Sequence, residues 1–215
     1  MIKFKVWGAL RFLSHAETLR VFQRACVRAG INVRYSQGFN PRPKLSLPLP
    51  RPVGVESDDE MLCLSVHDSG SASDGGASPT LREITAMLSA QLPEGCKLLS
   101  VSIAESGASI QPRSATYSLP VRPEHLNDKL RATIDRLLAS ESLEIQRQTG
   151  ARNRRIKNID ARGFLTSIEM TCHGIIVECK ISPAGSIRVD EVLSLLQLDQ
   201  DTLAGPIRRT NVRWR

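Results

Sequence analysis

The segment RFLSHAE, residues 11–17, places a histidine where it could do chemistry. Ser14 is followed three residues later by Glu17, which predicts a capping box at the start of a helix. His15 would then lie at the electropositive end of that helix, where a neutral imidazole is favoured over an imidazolium. A neutral imidazole can act as a general base, for example on a ribose 2′-hydroxyl. A lone histidine here is more often a hydrogen-bonding cap residue, so His15 is a candidate catalytic residue with that alternative left open.

Basic side chains are concentrated near the N-terminus. Residues 1–52 hold ten Lys or Arg and one acid, whereas residues 53–110 carry a net charge of −7 and residues 111–215 one of +5. On the predicted helix, three arginines spaced four residues apart would form one basic ridge: Arg20, Arg24 and Arg28. A block of this density favours a polyanionic partner, with RNA or DNA as the first candidates. The alternative is a solvated basic surface.

The segment RYSQGFNPRPKLSLPLPRPVGVES, residues 34–57, combines prolines with cations. The prolines around Arg42 and Lys44 hold the chain near polyproline geometry, so both cations would project from a stiff loop. The residues of that structural loop are Gly38, Phe39, Pro41 and Pro43. Leucines and valines then alternate over 45–55, and the prolines between them require an edge strand or an extended segment with free N–H positions. The segment is either a phosphate contact or a structural turn with a protected edge.

A second basic run, ARNRRIKN at 151–158, is typical of a hairpin tip that would neutralise phosphates without reading sequence. The residues predicted to contact nucleic acid are Arg11, Arg20, Arg24, Arg28, Arg34, Arg42, Lys44, Arg152, Arg154 and Arg155. The five cysteines are scattered and no His, Cys or Asp cluster has metal spacing, so the sequence predicts neither a metal nor a cofactor. Aromatic residues make up only 4% of the chain, so platforms for base stacking are expected to be scarce.

Two similar sets of elements must position these residues. Alternation predicts strands at 2–7, near 31–35 and at 61–66, and the capping box predicts a helix over 14–30. Further along, Ser78 and Pro79 predict a helix start, and a helix is expected from residue 123. The second half also predicts a hairpin around His173–Gly174. Strand–helix–strand–strand–helix–strand thus occurs twice. This order predicts an α+β fold of two tandem ferredoxin-like (βαββαβ) units with antiparallel sheets, residues 1–108 and 109–215.

The run LRFLSHAETLRVFQRACVRAGINVRYSQGFNPRPKLSLPLPRPVGVES resembles the opening signature of the bacterial radical SAM-linked proteins. These form a domain family of unknown function, encoded beside or fused to a radical SAM enzyme. NIDAR, SIRVDEVL and IRRT follow in the expected order. Arg42 stands where the family often has His, and Glu17 where Asp is commoner. The resemblance implies a partnership with a radical SAM enzyme that acts on RNA. The chain lacks the three-cysteine motif of such an enzyme, so the resemblance implies an accessory role.

Three functions follow as hypotheses. The first is a non-enzymatic RNA-binding accessory of a radical SAM enzyme, with tRNA or rRNA as its partner. The second is a metal-independent endoribonuclease, by analogy with CRISPR repeat-processing enzymes that pair ferredoxin-like units. In that hypothesis His15 is the base, and Lys44 or Arg42 steadies the phosphate. The third is a protein–protein scaffold whose proline-rich edge docks a partner. The N-terminus is unlike a signal peptide and no stretch is long enough to span a membrane, which predicts a cytoplasmic protein.

Overall fold

The computed structural model describes residues 1–67, 80–104, 110–149 and 155–215. The chain divides into two compact units, Met1–Gln111 and Pro112–Arg215. The described residues form four α-helices and ten strands, and the strand pairs within each unit are antiparallel. The α+β class predicted from the sequence is therefore confirmed. Over the described residues, no helix combines the length and the apolar character needed to cross a membrane.

The elements of the first unit are β1 (Ile2–Val6), α1 (His15–Arg28), β2 (Leu45–Ser46), β3 (Glu56–Leu64), α2 (Leu81–Ser89) and β4 (Cys96–Val101). Its strands are arranged in the order β4–β1–β3–β2. Alternate residues of β1 are buried, as its period of two predicts. Phe4 of β1 meets Phe22 of α1 edge to face, with 4.6 Å between the ring centroids. This contact fixes α1 on one face of the sheet, with its opposite side turned outward.

Helix α1 begins as the sequence predicts. The Ser14 hydroxyl accepts a hydrogen bond from the Glu17 N–H, and the Glu17 carboxylate accepts one from the Ser14 N–H at 2.8 Å. The buried stripe of the helix includes Phe22, Ala25 and Cys26. Burial raises the pKa of the Cys26 thiol to about 11, which fits a structural apolar side chain. A short 3₁₀ turn, Gly8–Phe12, leads into the cap.

The proline segment forms less strand than predicted. The expected alternation over 45–55 yields only β2, and the strand expected at 31–35 reduces to isolated bridges that join Val33 to Val66 and Tyr35 to Pro43. The prolines remove N–H donors from the segment, so no longer ladder forms.

Strand β3 begins at Glu56 rather than at 61, because the acidic run ESDDE lies inside the strand. Helix α2 has Thr80 as its N-cap, with a capping box to Glu83. The predicted start at Ser78–Pro79 falls outside the described residues. Polar residues therefore begin both elements: the acidic run ESDDE begins strand β3, and Thr80 with Glu83 caps the start of helix α2.

The elements of the second unit are β5 (Pro112–Leu119), α3 (Asp128–Ala139), β6 (Glu144–Thr149), β7 (Arg155–Asp160), β8 (Leu165–Thr171), β9 (Gly174–Lys180), α4 (Val189–Leu195) and β10 (Arg208–Trp214). Its strands are arranged in the order β10–β5–β9–β8, and β6 pairs with β7 in a separate ribbon. The hairpin predicted around His173–Gly174 is confirmed by β8 and β9. Helix α3 starts later than predicted, because Asn127 caps the Leu130 N–H after a 3₁₀ turn at Pro123–His125.

Candidate nucleic-acid interface

Two of the basic residues near the N-terminus form ion pairs with acids on the first sheet. Lys3 Nζ lies 2.8 Å from Asp59 Oδ1, and Lys5 Nζ lies 3.1 Å from Asp58 Oδ1. Both lysines are on β1 and both acids are on the antiparallel neighbour β3. The acidic run that starts β3 therefore offsets part of the basic block, because each of the two lysines has an acidic partner.

Arg51 is also turned inward. Only 9% of its surface is exposed, and its guanidinium donates hydrogen bonds to main-chain carbonyls. Two of the accepting carbonyls belong to the 3₁₀ turn, and their oxygens lie 3.1 Å (Leu10) and 2.7 Å (Arg11) from a guanidinium nitrogen. The carbonyl oxygen of Leu13, just beyond the turn, lies 3.4 Å from one. The carbonyl of Val55 accepts from the same side chain. Arg51 thus ties the proline segment to the turn that precedes α1, so it is a structural cation.

The arginine ridge on α1 is exposed, in contrast to those three cations. The side chains of Arg20, Arg24 and Arg28 lie on the outer face of the helix. Among the described residues no salt bridge involves any of them. Glu17 is the one acid on α1, and it is held by the cap: hydrogen bonds from the Ser14 side chain and N–H lower the pKa of its carboxyl group. The ridge is therefore an exposed patch of positive charge that forms no ion pair among the described residues, although Arg20 also helps to lower the pKa of the Glu17 carboxyl group.

A groove runs beside the C-terminal half of α1, and we call it the Tyr35 groove. Its volume is about 740 Å³. It is lined by Gln23, Arg24, Val27, Arg28, Gly30, Ile31, Asn32, Val33, Tyr35, Pro43 and Leu45. Two of the three ridge arginines belong to this lining, and the lining contains no acidic residue. Tyr35 is 49% exposed and Val27 is 71% exposed, so apolar surface lies open beside the two cations.

Arg34 and Lys44 line a different groove, of about 580 Å³, together with Ser46 and Cys63. The Lys44 N–H donates to the Arg34 carbonyl at 2.7 Å, which holds the two cations side by side. Successive side chains of an extended chain point to opposite faces, so Arg34 is directed away from the groove that its neighbour Tyr35 lines. The structure therefore divides the predicted cations between two grooves.

The loop that carries Arg42 is closed by two hydrogen bonds. The Ser36 N–H donates to the Arg42 carbonyl at 2.8 Å, and the Arg42 N–H donates to the Ser36 hydroxyl at 3.0 Å. Gly38 has a φ of +135°, a value that L side chains rarely adopt. Phe39 at the tip is fully exposed, with a relative exposure of 101%. Arg42 is exposed as well, so the loop presents an aromatic ring and a cation to the outside.

Arg11 is held at the other end of α1. Its Nη1 donates to the Gly8 carbonyl at 2.9 Å, and its guanidinium carbon lies 4.3 Å from the centroid of the Phe12 ring. Phe12 itself is 58% exposed. This cation–π pair keeps the Arg11 charge at the surface in a fixed position.

His15 is the first residue of α1 and is exposed. The Glu17 carboxylate already lies at the electropositive N-terminus of this helix, where it accepts a hydrogen bond from the Ser14 N–H. Of the two cations in the catalytic hypothesis, Lys44 lines the second groove and Arg42 lines neither groove. His15 lines neither the Tyr35 groove nor the groove of Arg34 and Lys44. The structure therefore does not bring His15 into a groove with the cations that the catalytic hypothesis assigned to it.

The predicted contacts of the second unit are described only in part. Arg152 and Arg154 lie outside the described residues, and Arg155 is the first residue of β7.

Across the ranges that the structure does describe, no three His, Cys, Asp or Glu side chains converge on a metal position. Burial raises the pKa of the Cys96 thiol to about 12, and that of Cys179 to about 12. These thiols are therefore protonated and suited to packing.

Tyr35 is the residue of this surface that sequence reasoning missed. The alternation of Ile31, Val33 and Tyr35 predicts one buried face, and Val33 is indeed buried. Val33 and Tyr35 form isolated bridges, to Val66 and to Pro43 respectively, and not a regular ladder. The signal that could have found it is the Pro-x-Pro motif that follows, because a proline partner prevents a continuous ladder and leaves the ring at an open edge.

Residues 1–195 match the profile of a family described as uncharacterized protein conserved in bacteria, DUF2344. The chain belongs to this family. The DUF2344 match covers the whole of the first unit and continues through α4 of the second. The α1 ridge and both grooves therefore lie in the part of the chain that defines the family. No curated protein matches the chain.

Proposed function

We propose that this DUF2344 protein binds RNA through the exposed basic surface of its first unit. The observation that carries the proposal is the contrast between neutralised and free cations. Lys3 and Lys5 pair with acids, and Arg51 is buried against carbonyls, whereas the α1 arginines remain exposed and unpaired among the described residues. An exposed cluster of arginines without acidic partners is the electrostatic footprint of a phosphate-binding surface.

Seven cations are assigned to RNA contact: Arg24 and Arg28 in the Tyr35 groove, Arg34 and Lys44 in the second groove, and Arg11, Arg20 and Arg42 outside both linings. Arginine suits the role because its guanidinium forms paired hydrogen bonds with phosphate oxygens. Phosphate contacts position a nucleic acid without reading its sequence, so this set alone favours general affinity over sequence preference. Recognition of particular RNAs, of the tRNA or rRNA class, would need further contacts to bases.

We also propose that the protein acts as a non-catalytic accessory of a radical SAM enzyme in the cytoplasm. This part rests on the resemblance of residues 10–57 to the radical SAM-linked signature. An accessory that binds RNA would present the substrate to its partner enzyme, and it would need no cofactor of its own. Co-purification of the two proteins from native cells, maintained after nuclease treatment, would support a direct partnership. Loss of the complex on nuclease treatment would show that RNA alone joins them.

For the architecture we infer that each unit is ferredoxin-like. In the first unit the strand order β4–β1–β3–β2 with α1 and α2 in the connections supports this inference. In the second unit the order β10–β5–β9–β8 with α3 and α4 supports it equally, with the β6–β7 ribbon as an insertion. Comparison of each unit with experimentally determined ferredoxin-like domains tests the inference, and a different connection handedness would contradict it.

RNA binding is tested by a charge-reversal variant of the ridge, Arg20→Glu/Arg24→Glu/Arg28→Glu. The matched control is Lys129→Glu/Arg131→Glu/Arg136→Glu on α3, which changes the net charge equally on another exposed helix surface. We expect the α1 variant to lose more than about tenfold in affinity for tRNA, because several phosphate contacts are removed. Equal affinities for the two variants would contradict the proposal.

A further inference from the structure

The Tyr35 groove combines features that phosphate binding alone does not require. It sets an open aromatic ring and exposed aliphatic surface beside two arginines, in a space of about 740 Å³. That volume lies within the range of about 300–1,000 Å³ that is typical of small-ligand pockets. A duplex presents its phosphates outward and hides its base faces, so it would leave the apolar floor of the groove unused.

We propose that the Tyr35 groove binds single-stranded RNA, with an unpaired base stacked on Tyr35 and the adjacent phosphates held by Arg24 and Arg28. The inference rests on the proposed RNA binding and specifies the class of RNA. Proteins that bind single strands combine a basic groove that follows the backbone with aromatic rings on which bases stack. The groove supplies both from neighbouring elements, because α1 provides the cations and the segment after it provides the ring.

The backbone that carries the ring is held in place. The backbone of Tyr35 is fixed by the bridge to Pro43, and the flanking Arg34 N–H donates to the Ser65 carbonyl at 2.8 Å. A tyrosine has few rotatable bonds, so it presents a large contact area at a low cost in conformational entropy. Gln23 and Asn32 also line the groove and carry amide groups that can donate to and accept from base edges.

The positive charge of the groove lining favours a polyanionic ligand. The lining contains Arg24 and Arg28 and no acid, which matches a polyanion that also has apolar base faces. An apolar peptide would gain nothing from the two guanidinium groups. Of the exposed aromatic residues in the first unit, Tyr35 is the one that lines this groove, while Phe39 lies at the loop tip outside its lining. Phe39 therefore provides an internal control for the assignment.

The test compares binding of a uridine homopolymer of about 12 nucleotides, within the site sizes of single-strand binders, with binding of an RNA duplex of the same length. We expect the unaltered protein to prefer the single strand. Tyr35→Ala should weaken single-strand binding by about 5- to 150-fold, the range expected for one stacked base. Tyr35→Phe should bind as the unaltered protein does, because it keeps the ring. Duplex binding should be the same in all three proteins.

Three results would overturn the inference. One is Tyr35→Ala with unchanged single-strand affinity, a second is equal loss for single strand and duplex, and a third is a larger loss with Phe39→Ala than with Tyr35→Ala. Photocrosslinking to 4-thiouridine RNA gives an independent measurement on the unaltered chain, and the absence of any crosslink to the groove lining would likewise overturn the inference. If salt-sensitive RNA binding persists in these cases, the proposed function stands without the stacking site. If the protein binds neither RNA, both fall.

Discussion

The Arg51 guanidinium donates a hydrogen bond to the main-chain carbonyl of Arg11, with 2.7 Å between Nη1 and the oxygen. The two residues belong to segments 40 positions apart, and the same guanidinium also bonds the Leu10 carbonyl. A buried cation is therefore satisfied by the carbonyls of the turn that leads into α1. Through this bond the proline segment fixes the start of the helix that carries the proposed RNA-binding ridge.

Arg51→Lys is expected to destabilise the first unit by about 2–4 kcal/mol, because an ammonium cannot replace the forked set of donors and buried carbonyls lose their partners. Chemical denaturation measures the free energy of unfolding. Arg42→Lys is the matched control, since its side chain is exposed, and it should change stability by less than about 0.5 kcal/mol. Equal stability of the two variants would mean that the Arg51 bonds contribute little.

Gly174→Ala is expected to destabilise the second unit by about 3 kcal/mol or more. Gly174 has a φ of +137°, and an added Cβ would lie 2.1 Å from the Leu119 carbonyl oxygen. The backbone of β5 would have to move, which disturbs its pairing with β9. Gly163→Ala is the control, because an added Cβ there meets no atom within 4 Å. Thermal unfolding of the two variants should separate clearly, and similar melting temperatures would refute the steric argument.

The ion pair of Arg147 and Glu191 makes the second unit sensitive to acid. Glu191 Oε1 and Oε2 each lie 2.6 Å from a guanidinium nitrogen. Burial opposes ionisation of Glu191, but hydrogen bonds from Arg147 and from the Arg188 N–H lower its pKa overall. A lowered folded-state pKa stabilises the fold above the unfolded-state pKa of about 4.3. That contribution is lost as the pH falls through the folded-state pKa.

We therefore expect the free energy of unfolding to decrease as the pH falls below about 4.3, and this decrease to be shallower in Glu191→Gln. At neutral pH Arg147→Met should cost about 3 kcal/mol, because it leaves a partly buried carboxylate without its partner. Denaturation series at several pH values measure both effects. An identical pH dependence in Glu191→Gln would show that other carboxylates account for the acid sensitivity.

His15→Ala should leave RNA intact and bound as in the unaltered protein. The imidazole is exposed at the N-terminus of α1 and lines neither groove. RNA incubated with each protein in EDTA and separated by electrophoresis tests this expectation. Cleavage by the unaltered protein that disappears in His15→Ala would restore the endoribonuclease hypothesis and contradict the non-catalytic role.

Local signals in the sequence predicted the elements that depend on local chemistry. The spacing of Ser14 and Glu17 predicted the start of α1, and His173–Gly174 predicted the β8–β9 hairpin, because caps and tight turns are set by residues close together in the chain. The start of β3 was missed because ESDDE is polar. Two of its acids, Asp58 and Asp59, pair with Lys5 and Lys3 on the neighbouring strand, and the partners are more than 50 positions apart in the chain.

The candidate site was predictable to a similar extent. The charge count identified the α1 ridge, but it could not distinguish exposed Arg24 from buried Arg51, because both are cations in the same basic block. The direction of each side chain depends on contacts across the fold. The low aromatic content of the chain predicts few surfaces for base stacking. A single aromatic ring in an open groove is nevertheless enough to form a candidate stacking site. Composition averages over the chain, and a site depends on the placement of single residues.

The salt dependence of RNA affinity tests the central claim most directly. For single-stranded RNA, log K falls against log salt with a slope of about −0.7 for each phosphate neutralised. Neutral replacement of the ridge by Arg20→Gln/Arg24→Gln/Arg28→Gln should make the slope less negative by about 2. The matched variant Lys129→Gln/Arg131→Gln/Arg136→Gln should keep the slope of the unaltered protein. A slope near zero in the unaltered protein, or the same change in both variants, would contradict RNA binding through α1.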